Sequence, residues 1–338
     1  MAAAGALRIL AAAGGVTLQD AGRHGYMRYG ITPAGPMDPL AHATANHALG
    51  NPTDATAIEV SLGGLAIQAE DAPVDVAVAG GSFRIACDGR PLPPATALTL
   101  RPGATLAIRA GRAGAWCYVA VAGRIEAPRV LGSQATHTRS GFGGLDGRAL
   151  APGDRLPIAG ARGALGDPAA LVAPWLDRPA DAIRFVPGPQ ADYFSDAETE
   201  AFAQGPWTVT PRGDRMACFL DGRPVRHAGD YNIVSDGIAM GAIQVPGEGL
   251  PIVLMADRQS TGGYPKIGTV IGADLGRLAQ AQAGTRLRFV AVTHAEAVAA
   301  RRAEGVALAA PVPLEPLIRT DFPSEFLLGT NLIDGVVG

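Results

Sequence analysis

The sequence predicts a mainly β protein with a few short helices, arranged as two β-rich halves. Three observations predict it. Short apolar runs recur along most of the 338 residues. Gly 45 and Pro 27 are spread between those runs, the pattern of turns joining strands. Hydrophobic residues make up 48% against 17% charged, enough to bury a large core, and the length suits about two domains.

Leu7–Ala12 and Val16–Leu18 read as strands around Gly14-Gly15. Residues 20–38 form a long loop rich in glycine, tyrosine and proline. Pro39–Leu49 has helical composition, with Asp38 as N-cap, Pro39 at the first helical position and Gly50 as the stop. Strands follow at Ala57–Leu62, Leu65–Ala69, Val74–Ala79, Phe83–Cys87, Ala97–Leu100, Thr105–Ala110 and Trp116–Ala122. Many strands at this spacing suggest an antiparallel barrel or sandwich. Residues 166–182 carry three prolines and read as a linker with one short helix. The second half starts with strand Ile183–Val186 and helix Asp192–Ala203. Strands Trp207–Thr210, Ala217–Leu220, Tyr231–Val234, Ala239–Val245 and Leu250–Ala256 come next. Gly272–Gln282 reads as a short helix and Arg286–Val292 as a closing strand. Thr293 and Glu296 have capping-box spacing ahead of an alanine-rich helix to about Leu308. The tail from Pro311 has the proline spacing of a surface wrap. The predicted units are thus 1–165, a linker 166–182, 183–293, and a helix with tail 294–338.

Composition narrows function. A net charge of −3 without a basic stripe speaks against nucleic acid. No run reaches the ~20 apolar residues of a membrane span, and Arg8 interrupts the short apolar N-terminus, so neither a membrane anchor nor a signal peptide is expected. Cys87, Cys117 and Cys218 are widely spaced, which argues against a disulfide framework and fits a reducing cytoplasm. His42 and His47 are spaced poorly for shared ligation, so no metal is expected. Ser140–Arg148 is glycine-rich, but no helix pattern follows it, and no phosphate-loop motif occurs in the chain.

Of the 28 Lys+Arg residues, a single one is lysine, Lys266. Arginine is a permanently charged planar fork, whereas lysine is a compact point charge. Lys266 ends the most polar loop of the chain: Asp257, Gln259, Gly262, Gly263 and Tyr264 precede it within ten residues. The two glycines let backbone approach a ligand closely, and Tyr264 offers a flat face with a hydroxyl. Gln244 lies in an apolar strand, where its amide must find a partner. A decorated hairpin facing water explains the loop equally well. In the long loop, Asp20, Met37 and Asp38 are further candidates, although cap or ion-pair roles suit the two acids better.

Together these segments resemble the biotin-dependent carboxyltransferase family. The resemblance rests on TLQDAGRHGYMRYGITPAGPMDPLAHATANHALGN, GRALAPGDRL, GPQADYF, GDRMACFLDG, the run from Ser235 to Gln280, and the ending NLIDGVVG. The family includes the so-called allophanate hydrolase subunit 2, the C subunit of bacterial 5-oxoprolinase and an antagonist of a sporulation-kinase inhibitor. The chain departs from the usual pattern at Gly213 and Ala217. The resemblance implies two linked cyclophilin-like β-barrel subdomains, A and B. It implies ATP-dependent opening of 5-oxoproline together with partners: a separate subunit of the allophanate hydrolase subunit 1 type and a third hydrolase subunit, with ATP bound mainly by them. A homo-oligomer is left open. Lys266 would stabilise oxyanion charge, Asp257 would orient it or move protons, and Gln244, Gln259, Gly262, Gly263, Tyr264, Asp20, Met37 and Asp38 would line the substrate. Urea carboxylation and a non-catalytic regulatory role are the alternatives. The biotin-carrier motif Met-Lys-Met is absent, so no biotin is expected on this chain.

Overall fold

The computed structural model describes residues 5–317. The ending NLIDGVVG and the rest of the tail from Ile318 lie outside the described residues. Four helices are described: α1 (Pro39–Ala48), α2 (Asp196–Gln204), α3 (Gly272–Ala279) and α4 (His294–Ala309). None of them is long and apolar enough to cross a membrane.

The first half is a twelve-stranded sheet. Its centre is the antiparallel pair Val74–Cys87 and Thr105–Val121, flanked by Leu65–Glu70 and Gly5–Ala12 on one side and Thr96–Leu100 on the other. Leu7, Ile9, Leu18, Ile58, Val76 and Val119 fill the core beneath it. Each central strand was expected as two shorter ones, broken at glycine. The glycines instead mark bulges: the register shifts between Gly80 and Ser82 and again by Arg84. A Cβ on Gly111 would stand 1.6 Å from the Ser82 carbonyl, so only glycine lets the bent strands approach there.

The second half closes into a seven-stranded barrel in the order Ala182–Pro187, Lys266–Val270, Ala242–Gln244, Ile252–Leu254, Ala217–Asp221, Trp207–Val209, Arg286–Ala291. Phe202 of α2 packs on Phe289 and Phe185 in its core. The turn predicted at Pro246–Gly249 joins two of its strands, with the Gly249 amide donating to the Pro246 carbonyl at 2.8 Å.

Several expectations are corrected. Lys266, expected to end a polar loop, opens the barrel strand Lys266–Val270, which is paired on both edges. Residues 231–234 form no strand; Tyr231 and Val234 are exposed and lack a ladder partner. The expected linker contributes strand Ala169–Leu171 to the first sheet, followed by a 3₁₀ turn at Pro174–Leu176. The start of the tail does not merely wrap the surface: Leu314–Pro316 returns to pair with Ala169–Leu171. Helix α2 starts later than expected because the Ser195 hydroxyl accepts from the Glu198 amide and caps it there.

The caps of α1 and α4 match the sequence. Asp38 accepts from the Ala41 amide, and Thr293 and Glu296 form a full capping box.

Candidate active site

Lys266 is the first residue of its barrel strand and stands directly across the ladder from Gln244, where a bulge shifts the register. Its side chain is only 3% exposed. The ammonium donates to Asp236 Oδ2 at 2.8 Å. Asp236 belongs to a two-residue strand, Asp236–Gly237, paired with Thr261–Gly262. Its carboxylate is half exposed, and the hydrogen bond from Lys266 holds its pKa below the usual range, helped by the Gly237 amide. Gln190 closes the group: its Oε1 accepts from the Lys266 amide at 3.2 Å, and its Nε2 donates to Asp236 Oδ2 at 3.4 Å.

Gly262 explains the glycine of the loop. A Cβ there would lie 2.6 Å from both Gln244 Nε2 and Ile238 Cδ1, so the ribbon can lie flat on the barrel only without a side chain. Beneath it, Gln244 Nε2 is buried without a hydrogen-bond partner among the described residues. Gly263 offers backbone alone, its carbonyl accepting from the Ile233 amide. Tyr264 is 40% exposed at the rim, and Gln259 is exposed.

The carboxylate on Lys266 is therefore Asp236, not Asp257. Asp257 grips Arg215 through both oxygens, at 2.9 and 2.8 Å. Arg215 also pairs with Glu59 and donates to the Gly35 carbonyl at 2.8 Å. Glu59 in turn accepts from the Met37 amide and the Tyr118 hydroxyl, both at 2.8 Å. This buried cluster ties the long loop of the first half to the barrel of the second. Burial pushes the Glu59 carboxyl up, against the pull of Arg215. Met37, Arg215 and Asp257 border a cleft of about 430 Å³ between the halves, with Trp116, Arg139 and Cys218 also in its wall.

Asp20 and Asp38 are anchors. Asp20 accepts from the Ser133 hydroxyl and the Gln134 amide at 2.5 and 2.7 Å. Asp38, besides capping α1, holds Arg178 at 2.9 and 3.0 Å and Gln280 at 2.9 Å. His42 is a core histidine bonded to the Gln19 carbonyl, and its burial lowers its pKa. The long loop meets Arg215 and, through Met27, Arg258; the bonds of Lys266 go to Asp236 and Gln190. Ile238 spans the two groups: its carbonyl accepts from Arg258, while its side chain lies against Gly262.

Sequence reasoning singled out Lys266, Gln244 and Gly262, which the fold brings together. It missed Asp236 and Gln190 as their partners, and Arg215 as the partner of Asp257. All three sit inside segments that carried the family resemblance, Ser235 to Gln280, GPQADYF and GDRMACFLDG, and that was the available signal.

The carboxyltransferase domain, subdomain A and B, matches residues 29–291. The chain belongs to this family. It is 37% identical over 298 residues to the C subunit of 5-oxoprolinase from Escherichia coli, covering 88% of this chain and 94% of that protein. It is 36% identical over 289 residues to the Haemophilus influenzae protein of the same name, covering 85% and 91%. Urea amidolyase of Saccharomyces cerevisiae is 28% identical over 311 residues, covering 86% of this chain but 17% of that much longer one. The solved K. lactis urea amidolyase superposes with a TM-score of 0.83 at 25% identity, over 90% of this chain and 20% of its own.

Proposed function

We propose that this chain is one subunit of an ATP-dependent 5-oxoproline amidohydrolase and acts with partner chains. The observation that carries the reading is length-matched similarity: the two bacterial 5-oxoprolinase proteins align over more than nine-tenths of their own length. The site chemistry fits a small amide. A lactam carbonyl is a poor electrophile, so its opening to glutamate is coupled to ATP, with water adding to the carbonyl and the ring nitrogen leaving. Lys266 supplies fixed positive charge to the bound substrate, and the amides of Gln190 and Gln244 supply neutral donors. The glycine backbone at 262–263 allows close approach. Asp257 holds Arg215 through both carboxylate oxygens, so its role in this reading is to position that arginine.

The glycine-rich loop at 140–148 does not fit a nucleotide. Its glycines pack on the chain itself: a Cβ at Gly143 would lie 2.0 Å from the Ala135 carbonyl, and one at Gly147 would lie 2.1 Å from Gly141. In this reading the nucleotide belongs mainly to the partner chains.

The test is turnover of 5-oxoproline by the complex reconstituted with Lys266→Met or Lys266→Arg. A loss of about 10²–10³ in kcat/KM is expected for Lys266→Met, the scale of one removed charge-stabilising donor. Near wild-type turnover by both variants would refute the role of the lysine. A second reading, carboxyl transfer to urea, is favoured by the superposition on urea amidolyase. Urea-dependent consumption of ATP with bicarbonate, without turnover of 5-oxoproline, would select it.

A further inference from the structure

We infer that Lys266, Gln190 and Gln244 form a carboxylate-binding subsite that Asp236 fills in the free chain, and that the substrate's own carboxylate takes its place on binding. Only the identity of the ligand rests on the function proposed above.

The geometry of the replacement is already present. The Asp236 carboxylate sits on the lysine ammonium at 2.8 Å and within 3.4 Å of the Gln190 amide. The two sides of this pair are built differently. Lys266 lies on a strand paired on both edges inside a closed barrel, and its side chain is 3% exposed. Asp236 lies on a strand of two residues, its side chain is 52% exposed, and the loop leading to it carries Val234 at 92% exposure. The aspartate can leave while the ammonium cannot. An ammonium left in this recessed position without a counter-charge is costly, so the vacated site favours another carboxylate.

The second observation is independent. Gln244 Nε2 is buried without a partner among the described residues, and it lies against Gly262, the ladder partner of Asp236. A buried donor without an acceptor needs a reason. Moving Asp236 also lifts the strand paired to it, and that uncovers the amide. The free donor then meets the incoming carboxylate. A free 5-oxoproline carries a carboxylate and a lactam; 2-pyrrolidinone carries only the lactam, and acetate only the carboxylate.

The experiment titrates the full chain with these three compounds, following side-chain amide resonances of the glutamines by NMR. Asp236→Asn and Asp236→Ala are compared with wild type, each checked for an unchanged melting curve. Removing the resident carboxylate should tighten acetate and 5-oxoproline by about fivefold, the scale of a half-exposed ion pair. It should leave 2-pyrrolidinone unchanged, and adding Lys266→Met should abolish the gain. An equal gain for 2-pyrrolidinone would mean that Asp236 only blocks the entrance, and weaker 5-oxoproline binding would make it a substrate contact. Either result overturns the proposal, as does no gain for acetate. If acetate and 5-oxoproline both tighten but the reconstituted complex does not turn over 5-oxoproline, the subsite stands and the function proposed above fails.

Discussion

Replacing Arg215 by methionine tests whether the two halves are locked by charge. Arg215 stands between Glu59, 0% exposed in its side chain, and Asp257, 3% exposed. Methionine keeps the bulk and removes the cation. Two buried carboxylates then lose their shared partner, and breaking a buried pair from one side costs about 3–5 kcal/mol. Arg215 borders the cleft, where water relieves part of that cost, so the lower end, about 3 kcal/mol, is expected. That corresponds to a melting temperature roughly 6–12 °C lower, at about 2–4 °C per kcal/mol. The pH dependence adds a signature. Burial raises the Glu59 pKa above its unfolded value. Its stabilising contribution is thus complete below the unfolded pKa and is lost as pH rises through the folded one. Removing Arg215 raises the folded value further. The deficit of the variant should therefore shrink between about pH 8 and about pH 5. Thermal melts followed by circular dichroism at both pH values measure it. The triple variant with Glu59→Gln and Asp257→Asn should recover most of the loss, since no buried charge then lacks a partner. A single variant melting within a degree or two of wild type, with the same pH profile, would refute the lock.

Two further outcomes concern helix α3 and the cysteines. Burial alone would raise the Asp274 pKa, but the hydrogen bonds from Arg184 and the charge of Arg277 hold it below the usual range. That stabilisation is present above the unfolded pKa and lost as pH falls through the folded one, so Asp274→Asn should cost about 2 kcal/mol near neutrality and much less in acid, read by melting at each pH. Burial pushes the Cys218 thiol up to about 12 and the fully buried Cys117 higher still. In the folded chain at mildly alkaline pH a thiol-specific disulfide reagent should modify Cys87 first, with the other two reacting on unfolding; equal rates for all three would contradict the packing.

Local signals were legible in the sequence and long-range ones were not. The Asp38 and Thr293 caps and the Pro246–Gly249 turn each depend on side chains within four residues, and all formed where expected. The long central strands were misread because a glycine permits either a turn or a close approach. Only the partner strand decides which, and at Gly80 and Gly111 that partner lies far along the chain. The Lys266–Asp236 pair has the same origin. The two residues are 30 apart and meet because the Thr261–Gly262 strand folds back onto Asp236–Gly237. Asp257 was the nearer acid in sequence, but it lies in the turn after Ile252–Leu254 and holds Arg215, which meets the long loop.

That geometry also gives a reason for the single lysine. At the start of a strand paired on both edges, the side chain at 266 has one carboxylate oxygen within reach and almost no exposure to water. An ammonium meets this with one short hydrogen bond and a compact charge. A guanidinium has five donors in a rigid plane, and most of them would be buried without acceptors. At Arg215 the requirement is reversed: two carboxylates and a carbonyl surround the side chain, and the planar fork uses them all. These two cations of the second half are thus distinguished by the number of acceptors around them. Lys266→Arg should fail for lack of partners, and Arg215→Lys should fail for lack of donors.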